Sequence, residues 1–163
     1  NIFHPDSSAI LMVDNKIISA AEEERFTRTK NYSGFPKNSI NFCLKEAKLS
    51  IEQVDYIAVN YNKRYNLDKK ILFGIKNFNL GFVKRFFFLV NKSNLQSIFL
   101  DEFGISIPKE KFQYVPHHLS HLASSYYFSG FDSSMGFTFD ASGDFSTAET
   151  YLIRYNKVNT LKK

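Results

Sequence analysis

His117 and His121 stand four residues apart in the string Val115-Pro116-His117-His118-Leu119-Ser120-His121, and Asp140 closes a β-like run further along. On a helix the i, i+4 spacing puts both imidazoles on one face, where they can reach a single ion. Two imidazoles and a carboxylate suit iron, zinc or manganese and leave coordination positions open to a substrate. Pro116 sits where a strand would hand over to a helix, which places the histidines in the first turn, beside N–H groups that favour an anion such as phosphate. The spacing by itself also fits ordinary histidines at a helix end, and Asp140 by itself also fits a turn former.

The elements around these residues can be read from periodicity. In Met135-Gly136-Phe137-Thr138-Phe139-Asp140, Phe137 and Phe139 share one strand face while Thr138 and Asp140 share the other. Ala141-Ser142-Gly143-Asp144 reads as a tight turn, and Ser146 to Arg154 resumes extended structure. Residues 8–24 read as a β-hairpin about Asp14-Asn15. Pro36 opens a helix with Ile40, Cys43, Leu44 and Ala47 at helical spacing. Ser50 and Gln53 make a capping-box turn, and Tyr56 to Val59 a short buried strand. Residues 60–105 are mostly helical in character, Phe112 to Val115 returns as a strand, and the histidine helix runs to about Tyr127. The alternation is that of an α/β protein.

At 163 residues and 44% hydrophobic, with 18 Phe and 9 Tyr, the chain can bury a core as one domain. No stretch approaches the ~20 apolar residues of a membrane span, and no secretory signal is visible at the start. The one cysteine, Cys43, cannot form an internal disulfide, which fits a reducing, cytoplasmic setting. The chain opens on Asn1 and closes on Val158-Asn159-Thr160-Leu161-Lys162-Lys163, so it is expected to be a piece of a larger protein, truncated at both ends.

The net charge of +5 is uneven. Lys63, Arg64, Lys69, Lys70, Lys76, Lys84, Arg85 and Lys92 face only Asp68 in this stretch, interleaved with Tyr61, Tyr65, Phe73, Phe78, Phe82 and Phe86 to Phe88. Such a segment suits a nucleic-acid or membrane-surface patch. It suits better an amphipathic helical excursion packed on its own domain, with Lys and Arg stems lying along apolar surface. The run Glu22-Glu23-Glu24-Arg25-Phe26-Thr27-Arg28-Thr29-Lys30 is either a solvated loop of weak local ion pairs or a polar cleft wall, in which Arg28 or Lys30 meets an anion.

Several of these strings occur together in one order: Asp6-Ser7-Ser8-Ala9, Asp14-Asn15-Lys16, Ala20-Ala21-Glu22-Glu23-Glu24-Arg25-Phe26-Thr27-Arg28, His117 through Tyr127, and Phe139-Asp140 through Gly143-Asp144. Together they resemble the O-carbamoyltransferases of nodulation-factor and antibiotic biosynthesis across nearly the whole chain. The resemblance implies the first half of a transferase domain of actin/hexokinase/Hsp70-like α/β fold, similar to the tRNA threonylcarbamoyl-transfer proteins, with a helical excursion at about 60–105. It implies transfer of a carbamoyl group from carbamoyl-adenylate, made from carbamoyl phosphate and ATP by a separate YrdC-like domain, to an acceptor hydroxyl. It implies an iron or similar divalent ion on His117, His121 and Asp140, with a further carboxylate from the second half of the domain. Lys30 matches a lysine that would clamp the carbamoyl-phosphate linkage, His4 would serve as general base, and Gly143 and Asp144 would line the nucleotide phosphates or their metal.

This chain departs from that pattern in places. The opening strand, the later carboxylate and the adenylate-forming domain are expected to be missing from this piece, and Asn15 and Ala141 stand where the family commonly has glycine. Asn tolerates a left-handed backbone; Ala141 would not, which bears on the turn after Asp140. Two other readings stand beside this one. The tRNA threonylcarbamoyl-transfer proteins usually carry Glu-Gly where this chain has Leu119-Ser120, and they lack the Glu-Glu-Glu-Arg-Phe run. A non-catalytic module binding nucleic acid or a membrane surface through residues 60–105 would show steeply salt-dependent binding and no metal.

Overall fold

The computed structural model describes residues 1–62, 64–76 and 94–162, and the chain is a mixed α/β protein with small sheets. Within the basic aromatic stretch, Lys63, Phe78, Phe82, Lys84, Arg85, Phe86 to Phe88 and Lys92 lie outside the described residues. The chain divides into two compact units, residues 1–59 with 94–113 and residues 60–93 with 114–163.

The first unit begins with the expected hairpin, β1 (Ser8–Val13) and β2 (Lys16–Glu22), antiparallel about Asp14-Asn15. Both turn residues are left-handed, with φ of 49° and 61°, as a two-residue hairpin loop that follows the strand twist requires. A short helix α1 (Glu24–Thr27) leads toward α2 (Lys37–Ala47), which packs on β1 and β2 and buries Cys43 and Ser39. The capping box of Ser50 and Gln53 is present, followed by β3 (Ile57–Val59). Tyr56 was expected in that buried strand; it lies outside it and is 71% exposed. Helix α4 (Leu95–Phe103) and strand β4 (Phe112–Tyr114), which pairs with β3, carry a ring stack: Phe99 meets Phe35 and Phe112 edge to face at 5.2 and 5.4 Å. Such contacts add to plain area burial.

The charged run splits into separate roles inside this unit. Glu23 is buried, and its carboxylate accepts from the Asn38 and Ser39 backbone N–H groups at 3.1 and 2.8 Å and from both side chains at 2.7 Å. It therefore caps the N-terminus of α2 from a distant point in the chain, where negative charge also meets the positive helix end. Glu22 and Arg25 form an exposed pair at 3.1 Å, and Glu24 accepts from the Asn31 N–H at 3.2 Å.

In the second unit α3 (Leu67–Lys76) is followed, after β4, by α5 (His117–Ser129) and a three-stranded antiparallel sheet of β5 (Ser133–Gly143), β6 (Ser146–Arg154) and β7 (Lys157–Lys162). Strand alternation sends Glu149, Tyr151 and Ile153 inward, and Leu122 and Tyr126 of α5 pack on the latter two. Two expectations are corrected. Of the tight turn placed at Ala141 to Asp144, residues Ala141 to Gly143 are strand and only Asp144 is in the turn, which it makes with Phe145, because the pairing of Gly143 with Ser146 leaves only those two residues to reverse the chain. Their φ values are 51° and 63°, while Ala141 is not left-handed, so its side chain poses no conflict. Strand β7 had no counterpart in the sequence reading; it follows a third two-residue turn at Tyr155-Asn156, with φ of 46° and 63°.

Burial opposes ionisation of Glu23, but its four hydrogen bonds outweigh it and hold the carboxyl below the usual value. A lowered folded-state pKa means a contribution fully present above the unfolded pKa of about 4.3 and lost as pH falls through the folded value. Glu23→Gln is expected to lower stability by about 1–3 kcal/mol at neutral pH and to flatten the acid limb. Urea unfolding between about pH 7 and about pH 3 checks both.

Candidate metal centre

Helix α5 starts at His117 directly after Pro116, so His117 and His121 occupy its first two turns and project from one face. Asp140 reaches the same place from β5, at the edge of an irregularity in that strand. Pairing runs in register to Phe139 with Ala148 and resumes at Gly143 with Ser146, so Asp140, Ala141 and Ser142 bulge out. A bulge of this kind bends the strand and re-aims its side chains. As the alternation indicated, Thr138 and Asp140 share the face turned toward α5: Thr138 meets His118, and Asp140 meets His117 and His121.

His117 Nε2 lies 2.5 Å from Asp140 Oδ2, His121 Nε2 lies 3.3 Å from the same oxygen, and the two Nε2 atoms are 3.0 Å apart. All three donor atoms fall within 4.8 Å of one another. Ligands bound about 2.0–2.2 Å from one ion sit roughly 3.0–3.4 Å from each other; the two distances from His121 Nε2 have that spacing, while the 2.5 Å contact of His117 with Asp140 is a hydrogen bond that would open to admit an ion. Two imidazole nitrogens at 3.0 Å cannot both present a proton to each other, so at least one turns a lone pair into the cluster. The hydrogen bond from His117 is the largest of the influences that hold the Asp140 carboxyl down at about 2, so it is ionised near neutrality and needs no proton loss to bind a cation. The residues present fit a divalent ion. His117 is 12% exposed, Asp140 32% and His121 52%, so the cluster is packed on one side and open on the other.

Gly143 is what lets the ring of His117 lie against β5. A Cβ at position 143 would overlap that imidazole, coming within 2.8 Å even of Nε2. Asp144 turns its Oδ2 to the backbone N–H groups of His117 and Asn62 at 3.0 and 3.2 Å. His4 and Lys30 belong to the first unit, where His4 Nδ1 lies 3.2 Å from the Pro5 carbonyl.

Sequence reasoning placed His118 away from the ion without giving it a task. It is fully buried, with Nδ1 2.9 Å from Thr138 Oγ1 and Nε2 3.1 Å from the Ser146 carbonyl, and so locks α5 to the β5–β6 hairpin. The buried Glu149 was missed as well. Tyr65 and Tyr151 donate to its Oε2 at 2.8 and 2.5 Å, while its Oε1 is buried with no hydrogen-bond partner among the described residues. Burial and the bond to Glu149 push both phenols upward, keeping them protonated donors. Strand alternation puts Glu149 on the inward face beside Tyr151 and Ile153, which was the available signal.

Two substitutions probe the geometry. His121→Ala is expected to lose at least tenfold in affinity for a divalent ion, read by titration with Co(II). Gly143→Ala should weaken the same binding by driving the His117 ring off the common point, while leaving the secondary structure seen by circular dichroism intact.

Comparison with known proteins identifies the family. Residues 1–161 match the family model described as the carbamoyltransferase N-terminus. The chain is 31% identical over 149 residues to nodulation protein NolNO of Sinorhizobium fredii, covering 90% of this chain and 21% of that protein. It is 33% identical over 159 residues to the uncharacterized protein sll1178 of Synechocystis, covering 91% and 26%, and 31% identical over 144 residues to the uncharacterized protein MJ1051 of Methanocaldococcus jannaschii, covering 86% and 21%. The chain thus spans 21% to 26% of the length of these relatives. No helix among the described residues is long and apolar enough to cross a membrane. With residues 1–161 of its 163 matching that family model, the chain belongs to the carbamoyltransferase N-terminal family.

Proposed function

We propose that this chain is part of an O-carbamoyltransferase of actin/hexokinase/Hsp70-like fold that moves a carbamoyl group from carbamoyl-adenylate, made from carbamoyl phosphate and ATP, to an acceptor hydroxyl. The observation that carries the reading is the meeting of His117, His121 and Asp140 donor atoms within 4.8 Å in a chain of the carbamoyltransferase family. A divalent ion held there, iron by the resemblance, would supply Lewis-acid polarisation of the carbamoyl carbonyl or the adenylate phosphate.

The chain's own residues supply placement and charge. Asp140 enters the site ionised, and the exposed His121 side of the cluster gives the direction from which a substrate approaches. In the transfer, the acceptor oxygen forms a bond to the carbamoyl carbon and the bond from that carbon to the phosphate oxygen breaks, releasing AMP. The acceptor proton must go to a base. His4 is proposed for that role on residue type and resemblance, since an imidazole that donates Nδ1–H to the Pro5 carbonyl carries its lone pair on Nε2. Lys30 is proposed, on the same grounds, to clamp the carbamoyl-phosphate linkage.

The decisive experiment joins this chain to the remaining length that its relatives have and separates the two half-reactions. His121→Ala should reduce acceptor carbamoylation by 10²-fold or more, on the order of a lost metal-ion contribution, while carbamoyl-adenylate formation from carbamoyl phosphate and ATP is unchanged. Survival of both half-reactions at wild-type rates would show that the ligand assignment is wrong.

A further inference from the structure

We propose that Asp144 is a positioning residue for the metal ligands: it holds His117 by its backbone and does not itself face an ion or a phosphate. The proposal rests on the ligand assignment above and deepens it. Its starting point is the end of α5. Pro116 offers that helix no side-chain cap, so the first backbone N–H groups need acceptors from elsewhere. Asp144, 27 residues along, provides one: its Oδ2 accepts from the His117 N–H at 3.0 Å, and its negative charge sits where the helix end is positive.

The rest of the carboxylate is engaged within the same unit. Oδ2 also accepts from the Asn62 N–H at 3.2 Å, Oδ1 lies 3.7 Å from Lys70 Nζ, and the side chain is only 10% exposed. The Asp144 carbonyl accepts from Asn66 Nδ2 at 3.0 Å. Asn62, Asn66 and Lys70 therefore grip one residue from three points of a single stretch of chain, leaving the carboxylate little room to turn toward a ligand.

Backbone geometry gives the same answer independently. Phe145 takes φ 63°, a left-handed conformation that a bulky side chain rarely adopts. The Phe73 ring meets it edge to face at 5.5 Å, and Lys70 Nζ lies 5.9 Å from its centroid. Neighbours on α3 thus hold the turn in a costly shape, and that shape delivers Gly143 to the His117 ring and Asp144 to the His117 N–H. The imidazole is fixed from both sides.

The test measures Co(II) binding to the protein by visible absorption, alongside hydrogen exchange at the His117 amide. Asp144→Ala is expected to weaken Co(II) binding by roughly 10–100-fold, alter the visible spectrum and release the His117 amide to exchange. Asp144→Asn keeps an oxygen that can accept from the His117 N–H, so it should bind Co(II) within a few-fold of wild type, with the amide still protected. A carboxylate that touched the ion itself would make Asp144→Asn as weak as Asp144→Ala, and that result overturns the proposal even if the alanine variant does not fold. Wild-type affinity and spectrum in a folded Asp144→Ala protein would overturn it too. Equal Co(II) binding by His121→Ala and wild type would instead overturn the ligand assignment, and amide protection would still decide whether Asp144 holds His117.

Discussion

A buried imidazole joins the two elements on which the candidate centre is built. His118 uses both ring nitrogens inside the protein, one against Thr138 of β5 and one against the Ser146 carbonyl at the start of β6. Each buried partner left unmatched would cost about 1–3 kcal/mol, so sliding or rotating α5 against the hairpin carries a double penalty. With His118 locked, its neighbour His117 and the residue one turn on, His121, have no freedom except their own side-chain rotations. Three consecutive features of one helix thus divide between fastening and chemistry.

The hairpin meets the helix with matching devices. Gly136 admits Leu122 and Gly143 admits the His117 ring, each at a distance where a Cβ would collide. Between them Asp140 follows Gly136 and Thr138 by alternation onto the face of the two imidazoles, and the irregularity after Phe139 brings Gly143 to the same face. Small residues, an irregular register and a strained turn each weaken a strand taken alone. Here they fall within a few residues of one cluster, the pattern expected where local stability is given up for the geometry of a site.

Glu23 illustrates the same economy in the first unit. A carboxylate in a dense charged run looks like surface, and most neighbours in that run are exposed or only partly covered. Glu23 alone goes inside, because four donors at the start of α2 repay its desolvation. Charge density in the sequence marked the segment, but the burial of one member depends on where a helix fourteen residues later comes to rest.

Local chemistry was legible from the residues themselves. The i, i+4 histidines, the shared face of Thr138 and Asp140, the Asp14-Asn15 turn, the helix after Pro36, the capping box at Ser50 and the span of β6 all follow from periods of 3.6 and 2 and from turn preferences that act over a few residues. The pattern could not show that Asp144 would bond to His117, or that Phe145 would accept a left-handed backbone, because those outcomes are set by partners 27 residues away on α5 and far upstream on α3. Strand β7 was hidden for a related reason: Lys157 to Lys162 has a mostly exposed, polar pattern, and only pairing with β6 makes it a strand. Short-range order is written in neighbouring side chains, whereas the distances among His117, His121 and Asp140 are a property of packing, where one buried imidazole and two missing side chains decide how closely helix and strand approach.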